Sequence, residues 1–236
     1  LFSRTPEFYD AFYREKDYRA EARYVAGVIR ARVPAATTLL DVACGTGEHA
    51  RFLAEDHGFA VHGIDSEPTL LNIASTKVRT GVFRVADMVD FELGRRYDAV
   101  TCLFSSIGYV RTEPALRRAF AAMTRHLEAG GVLVVEPWFE PGTMTHGFVT
   151  LLSTDLPDGA RGCRMSHTAV EGRLSRLHFE YLIGDAGGLR RETEVHELGL
   201  FTRDETMAAM TAAGLRAITH DERGPGGRGL YIATRP

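Results

Sequence analysis

Leu39-Leu40-Asp41-Val42-Ala43-Cys44-Gly45-Thr46-Gly47 is the stretch on which the reading of this chain turns. A short apolar run ends in two spaced glycines, the pattern of a strand that breaks into a tight turn where the backbone can approach a ligand closely. Working outward, residues 60–64, 82–86, 97–104 and 132–135 read as further strands, and 68–78 and 114–127 as helices. Upstream, Tyr18, Ala22, Val25 and Ile29 share one helical face, and Pro34 stops the run. The strands are mostly continuous apolar runs rather than alternating ones, as a parallel sheet covered on both faces requires.

After Pro137 the pattern changes. Pro141, Gly142 and Gly147 mark a loop, and then the period becomes two: Leu177, Phe179, Tyr181 and Ile183 alternate with Arg176, His178 and Glu180. Residues 149–201 therefore read as an antiparallel sheet laid over the main one, with turns at Glu171-Gly172 and at 184–188. Thr202 and Glu205 have the spacing of a capping box, Met207 and Met210 follow on a helix, and Gly214 suits its C-terminal end. Two closing strands, 216–221 and 229–234, flank Gly224-Pro225-Gly226-Gly227 as a hairpin. The expectation is α/β: a Rossmann-like, doubly wound, mostly parallel seven-stranded sheet with an inserted antiparallel sheet. Residues 1–236 are expected to be one domain, in which 149–201 contributes to the substrate site.

Composition excludes several classes. With 44% hydrophobic and 25% charged residues the balance is that of an ordinary globular protein, and a net charge of −3 is too small and of the wrong sign for a nucleic-acid or membrane-surface binder. The three cysteines, Cys44, Cys102 and Cys163, sit in apolar, strand-like surroundings and read as reduced thiols in a cytoplasmic protein. No apolar run approaches the ~20 residues a membrane span needs. The chain starts at Leu1 rather than Met, without a signal-peptide pattern. His49, His126, His146 and His167 are scattered, with no metal-binding spacing, so no metal is expected.

Gly45-x-Gly47-x-x-Ala50 taken alone also matches a dinucleotide fingerprint. Asp41 discriminates. An acid inside the strand, four positions before Gly45, suits a cationic amino acid moiety held above the turn and would repel a pyrophosphate. Asp65, closing the second strand, lies 20 residues past Gly45, where an acid can accept hydrogen bonds from ribose hydroxyls; it equally suits a charge at the start of the next helix. Asp87-Met88 follows the third strand, where the aspartate also suits a plain turn. Three acids after three successive strands fall at one sheet edge, where ligands bind in open α/β folds.

On these residues the sequence resembles the class I S-adenosylmethionine-dependent methyltransferases. Longer segments are similar to one subgroup, the N,N-dimethyltransferases of TDP-3-amino-3,6-dideoxyhexose biosynthesis, which make antibiotic aminosugars. The similar segments include Phe8-Tyr9-Asp10, Lys16-Asp17-Tyr18, Phe104-Ser105-Ser106-Ile107-Gly108-Tyr109, Val134-Val135-Glu136-Pro137-Trp138, Ser166-His167 and Gly224-Pro225-x-Gly227-Arg228-Gly229-Leu230. The resemblance implies that Tyr9, Asp41, Ala43, Gly45, Gly47, Asp65, Asp87, Met88 and Leu103 line the S-adenosyl-L-methionine site. It implies that Tyr13, Trp138, Ser166, His167, Arg176 and Arg228 face a TDP-aminosugar, and that Tyr109 stands near the transferring methyl. It also implies a homodimer.

The chain departs from the subgroup in three places. A further N-terminal aromatic would fall at about Leu1 or Phe2, Trp138-Phe139 stands where two tryptophans are common, and residues 155–162 are not similar.

The chemistry implied is in-line displacement by an unprotonated amine, with the enzyme mainly supplying proximity and orientation; the amine proton leaves to water or through Tyr109. An O-methyltransferase on a sugar or polyketide is the competing reading, and would need a base near the methyl. A nicotinamide dehydrogenase is opposed by Asp41 and the absent third glycine. A degenerate methyltransferase fold kept for binding or dimerisation is opposed by the intact set of acids and glycines. Cys44 as a nucleophile has no evident base.

Overall fold

A computed structural model describes residues 6–236. Its centre is β1 (Thr38–Val42), which pairs in parallel with β2 (Ala60–Asp65) on one side and β4 (Tyr97–Cys102) on the other. β3 (Val82–Val85) and β5 (Leu127–Val135) extend the sheet outward, again in parallel. β11 (Leu230–Thr234) then pairs antiparallel with β5, and β10 (Arg216–Asp221) antiparallel with β11. The order β10-β11-β5-β4-β1-β2-β3 reverses direction between β1 and β4, so a crevice opens above their carboxyl ends.

Helices cover both faces. α2 (Tyr18–Arg32) starts at Asp17, whose carboxylate accepts the Ala20 N–H at 2.9 Å, and buries Ala22, Val25, Ala26 and Ile29 against Leu39, Val61 and Ala99. α3 (Glu48–Glu55) lies on that face too, and α4 (Pro68–Lys77) follows β2. On the other face α5 (Glu113–Arg125) buries Leu116, Ala119, Phe120 and Met123 against Leu40, Val100 and Leu133. α6 (Arg203–Ala212) packs beside it and opens on the expected capping box of Thr202 and Glu205.

Two local expectations differ from the structure. β5 begins at Leu127, not at 132: the chain passes through Gly130 at φ +78°, and a Cβ at Gly131 would fall 3.1 Å from the Asp98 carbonyl oxygen, so the glycines bend the strand without ending it. β3 is an edge strand rather than one covered on both faces, with Val82 and Val85 largely exposed.

β6 (Val149–Asp155), β7 (Arg161–Glu171), β8 (Leu174–Asp185) and β9 (Gly188–Gly199) form the separate antiparallel sheet in chain order. Its inner face buries Phe179, Tyr181 and Ile183 against Phe12 of the short helix α1 (Tyr9–Phe12). That helix is therefore held between the second sheet and the crevice of the first.

Candidate active site

The turn after β1 is built by backbone conformations that few side chains tolerate: Ala43 at φ +57°, Gly45 at +55° and Gly47 at +78°. Gly45 donates its N–H to Asp65 Oδ2 at 2.9 Å, and Glu67 N–H reaches Asp65 Oδ1 at 2.9 Å, so one carboxylate ties the ends of β1 and β2 together. Burial pushes the Asp65 carboxyl up, and the Glu67 and Gly45 N–H groups pull it back. From the other side Asp10 of α1 accepts the Thr46 hydroxyl at 2.6 Å and pairs with Lys77 at 2.5 Å, which latches α1 onto this turn.

Above the turn is a cleft of about 360 Å³ lined by Tyr9, Ala43, Gly45, Asp65, Asp87, Met88, Ser106 and Tyr109. A smaller lobe of about 40 Å³ continues from it, sharing Tyr9, Ala43, Gly45 and Ser106, and is walled by Asp41, His49 and Leu103. Eight of the nine residues expected at the cofactor thus line one continuous two-lobed crevice. Gly47 does not. It caps α3, and a Cβ there would stand 2.9 Å from Ala74 Cβ on α4, so its lack of a side chain serves helix packing.

Asp41 is the electrostatic centre of the small lobe. Its carboxylate accepts the Thr101 hydroxyl at 2.8 Å. Burial pushes its pKa up to about 6, with His49 and Thr101 pulling it back and Asp65 adding to the rise. His49 in turn bonds Glu21 at 2.8 Å, and Glu21 pairs with Lys16. Cys44 lies beside them, but burial raises its thiol well above the ordinary range, so it is no nucleophile. Asp87 accepts the Val89 N–H at 3.0 Å in the turn after β3.

The substrate side corrects part of the sequence reading. Adjacent strand residues face opposite ways, so Ser166 is buried on the inner face of β7 while His167 is exposed on the outer one. Arg176 also lies outward on β8 and is paired with Glu197 at 2.7 Å and Glu171 at 2.8 Å. His167 and Arg176 are therefore not brought to the cleft. Ser166 bonds Thr150 at 2.5 Å. Trp138 donates its indole N–H to Ser175 at 2.9 Å and lines a separate small cavity with Ile107, Leu116 and Phe201, not the cleft.

The Arg228 fork, expected to face the TDP-aminosugar, is engaged by Ser105 (Nε, 2.8 Å) and the fully buried Glu136 (Nη2, 2.6 Å). Tyr13 lies beside the cleft: its ring is tilted against that of Tyr9, centroids 4.8 Å apart, and meets Phe104 edge-on at 5.2 Å. The position at Leu1 or Phe2 lies outside the described residues.

Three groups were missed. Arg164 is buried on the inner face of β7, donates to the Tyr13 hydroxyl at 3.0 Å, and leaves its Nε without a hydrogen-bond partner among the described residues. Glu194 and His196, both buried on β9, line up behind Tyr109, whose hydroxyl lies 2.9 Å from His196 Nδ1. The signal was the alternation itself: Glu194, His196 and Leu198 share the inward face, as do Arg164, Ser166 and Thr168, and polar residues in inward positions mark a site rather than a core. Among the described residues no cluster of His, Cys, Asp and Glu is arranged to hold a metal.

Comparison with known proteins places this geometry. The methyltransferase domain family model matches residues 39–131. The dTDP-3-amino-3,4,6-trideoxy-alpha-D-glucopyranose N,N-dimethyltransferase of Streptomyces venezuelae is 42% identical over 96% of this chain and 95% of its own length. The dTDP-4-amino-2,3,4,6-tetradeoxy-D-glucose N,N-dimethyltransferase of Saccharopolyspora spinosa is 41% identical over 97% of this chain and 92% of its own. The crystal structure of S-adenosylmethionine-bound CalS10, an amino pentose methyltransferase of Micromonospora echinaspora involved in calicheamicin biosynthesis, superposes with a TM-score of 0.86 at 40% identity, covering 97% of this chain and 96% of that one. With its glycine turn, its acid-lined crevice and this near-complete likeness, the chain belongs to the S-adenosylmethionine-dependent methyltransferases, in the family of the TDP-aminosugar N,N-dimethyltransferases.

Proposed function

We propose that this protein transfers methyl groups from S-adenosylmethionine to the amino group of a TDP-linked aminodeoxysugar in antibiotic biosynthesis. The observation that carries the reading is the two-lobed crevice in which Tyr109 stands, with its hydroxyl 2.9 Å from His196 on the polar inner face of the second sheet.

The residues present fit the cofactor. Asp41 is a buried carboxylate without a full countercharge, which favours a cationic amino acid end in the small lobe. Asp65 is left with acceptor capacity for ribose hydroxyls beyond its backbone bonds. Asp87 and Met88 would meet the adenine, and Tyr9, Ala43, Gly45 and Leu103 would close around the sulfur end. When bound, the cofactor supplies a methyl group already activated by a positively charged sulfur.

What remains for the chain is positioning, a source that contributes ~7–11 kcal/mol in well-oriented reactions. Tyr109 lines the cleft, and Tyr13, together with Arg164 and Ser166 buried on the inner face of β7, supplies the groups that the sugar nucleotide would meet on this reading. On this reading the second sheet contributes the substrate side of a single domain. His196 behind Tyr109 is the kind of base that O-methyl transfer would need, so a hydroxyl substrate is the competing reading. The near-full-length likeness to N,N-dimethyltransferases favours the amine.

Under the same reading the protein works in the cytoplasm as a homodimer. Support comes from the outer face of the second sheet, where Leu151, Met165 and Val195 are exposed together with Val149. Light scattering should report a dimer that Leu151→Glu dissociates; a monomeric wild type would overturn this part. The reaction itself is tested by mass spectrometry after incubation with S-adenosylmethionine and a panel of 3-amino and 4-amino TDP-sugars. One or two added methyl groups on an amine is the expected result, and methylation only of hydroxyls refutes it.

A further inference from the structure

Behind Tyr109 the inner face of the second sheet holds a chain of hydrogen bonds that the positioning chemistry above does not use. Tyr109 sits on the 3-10 turn Ser106–Val110 after β4, with its hydroxyl 2.9 Å from His196 Nδ1. His196 Nε2 is 3.3 Å from Glu194 Oε2, and the Tyr181 hydroxyl donates to that same oxygen at 3.4 Å. His196 is 1% exposed and packs on the Phe179 ring, centroids 4.9 Å apart.

The direction of this chain follows from its far end. A carboxylate only accepts hydrogen bonds, so the proton between Glu194 and His196 belongs to Nε2. In a neutral imidazole Nδ1 is then an acceptor, so Tyr109 must donate its only O–H inward. What the Tyr109 oxygen presents to the cleft is a lone pair. An aromatic hydroxyl held in that way accepts an N–H and leaves the nitrogen lone pair free to point elsewhere.

We propose that Tyr109, His196 and Glu194 form a proton relay that receives the amine's proton and orients its nitrogen for methylation. The proposal rests on the reading of the cleft as an aminosugar site. As the substrate nitrogen forms its bond to the methyl carbon, the carbon–sulfur bond breaks with its electron pair left on sulfur, and the nitrogen becomes a cation bearing at least one N–H. That proton passes to the Tyr109 oxygen while the Tyr109 proton passes to His196 Nδ1. The imidazolium formed is balanced by the Glu194 carboxylate, and the proton returns by the same route to water when the product leaves.

Tyr109 is the catalytic residue here; His196 and Glu194 act through it as positioning residues. The arrangement also explains a stop after two methyl groups. A primary and a secondary amine each have an N–H for Tyr109, whereas the neutral tertiary product has none.

The other groups facing the relay are compatible with it. Among the described residues Arg164 on β7 is a nearby cation, and it is engaged by the Tyr13 hydroxyl and by Tyr181 on β8. Burial above all, and then Tyr13, Glu194 and Asp65, oppose ionisation of Tyr109, so the phenol carries protons without resting as a phenolate.

Two measurements test the relay. Nitrogen-15 NMR of the unloaded enzyme should show neutral His196 as the Nε2–H tautomer; the Nδ1–H tautomer would overturn the proposal. In kinetics, His196→Asn should lower kcat roughly 10²-fold at neutral pH, within the range of general acid–base assistance. KM for the aminosugar should change little, and the deficit should shrink at alkaline pH, where solvent base removes the proton. Tyr109→Phe should cost a similar factor, and the double variant no more than Tyr109→Phe alone. Unchanged kcat with a superimposable pH profile, an effect on KM alone, or additive losses would each refute the relay. Cofactor binding by calorimetry checks that His196→Asn is folded, and the isosteric Glu194→Gln carries the same comparison if it is not. A wild type inactive on every aminosugar sinks the substrate reading and the relay with it, whereas an active wild type with indifferent variants sinks the relay alone.

Discussion

Replacing Arg228 by methionine isolates the energetics of one buried contact. Glu136 follows β5 and has no solvent exposure. One of its oxygens accepts from Arg228 Nη2 at 2.6 Å, and the other from the Phe104 N–H at 2.7 Å. Ser105 accepts from Arg228 Nε at 2.8 Å and donates to the Pro137 carbonyl at 2.6 Å. Phe104 and Ser105 are held at φ +53° and +59°, a conformation costly for residues with side chains, at the start of the turn that carries Ser106 and Tyr109 into the cleft.

Arg228→Met keeps the stem's packing and strands the carboxylate, and breaking a buried pair from one side costs about 3–5 kcal/mol. For a chain of this size each kcal/mol moves Tm by roughly 2–4 °C, so a fall of about 10 °C is expected. Glu136→Gln should cost less, because the arginine left behind is partly exposed and can turn to water. Adding Glu136→Gln to Arg228→Met should restore much of the loss, since no charge is then stranded while the Phe104 N–H keeps its acceptor. Thermal and urea unfolding of the three variants and the wild type give the cycle. If Arg228→Met lies within about 1 kcal/mol of wild type, or the double variant is no better than it, the view of Arg228 as the counterion of Glu136 is wrong.

Asp65→Ala should weaken S-adenosylmethionine binding about 10- to 100-fold, the value of hydrogen bonds to a charged acceptor, because it removes both the proposed ribose acceptor and the tie to Gly45; unchanged affinity by calorimetry would show the assignment to be mistaken. Asp41, pushed up to about 6 by burial, holds its proton more tightly folded than unfolded, so its contribution to stability is fully present below about pH 4 and is lost as pH rises through 6. A cation entering the small lobe should expel that proton, so binding near pH 6 should show an enthalpy that varies with the buffer's ionisation heat, an effect absent in Asp41→Asn; buffer-independent heats in the wild type would contradict it. Gly47→Ala puts a side chain at φ +78° with its Cβ 2.9 Å from Ala74 Cβ, and the ~1–2 kcal/mol of strain plus the clash should lower Tm by several degrees; a neutral result would mean that α3 and α4 can separate freely.

The sequence by itself determined the parallel sheet, the glycine turn and the placing of Asp41, Asp65 and Asp87 around one crevice. Each is a local consequence: an apolar run fixes a buried strand, a short connection fixes where it ends, and residues at that end meet the ligand edge wherever the rest of the chain goes. The capping box at Thr202 and the period of two through β8 were legible for the same reason.

Only the tertiary structure decided which side of the second sheet meets the cleft. Period two separates Ser166 from His167 and Arg164 from Met165, but it does not say which set faces inward, and a shift of one residue would exchange them. Docking the sheet on α1 and the Tyr109 turn selects Arg164, Ser166, Glu194 and His196, and leaves His167 and Arg176 outside. Tyr109 and His196 are 87 residues apart, and Glu136 and Arg228 are 92 apart. No local pattern relates such pairs, because their contact is a property of packed elements and not of any one of them.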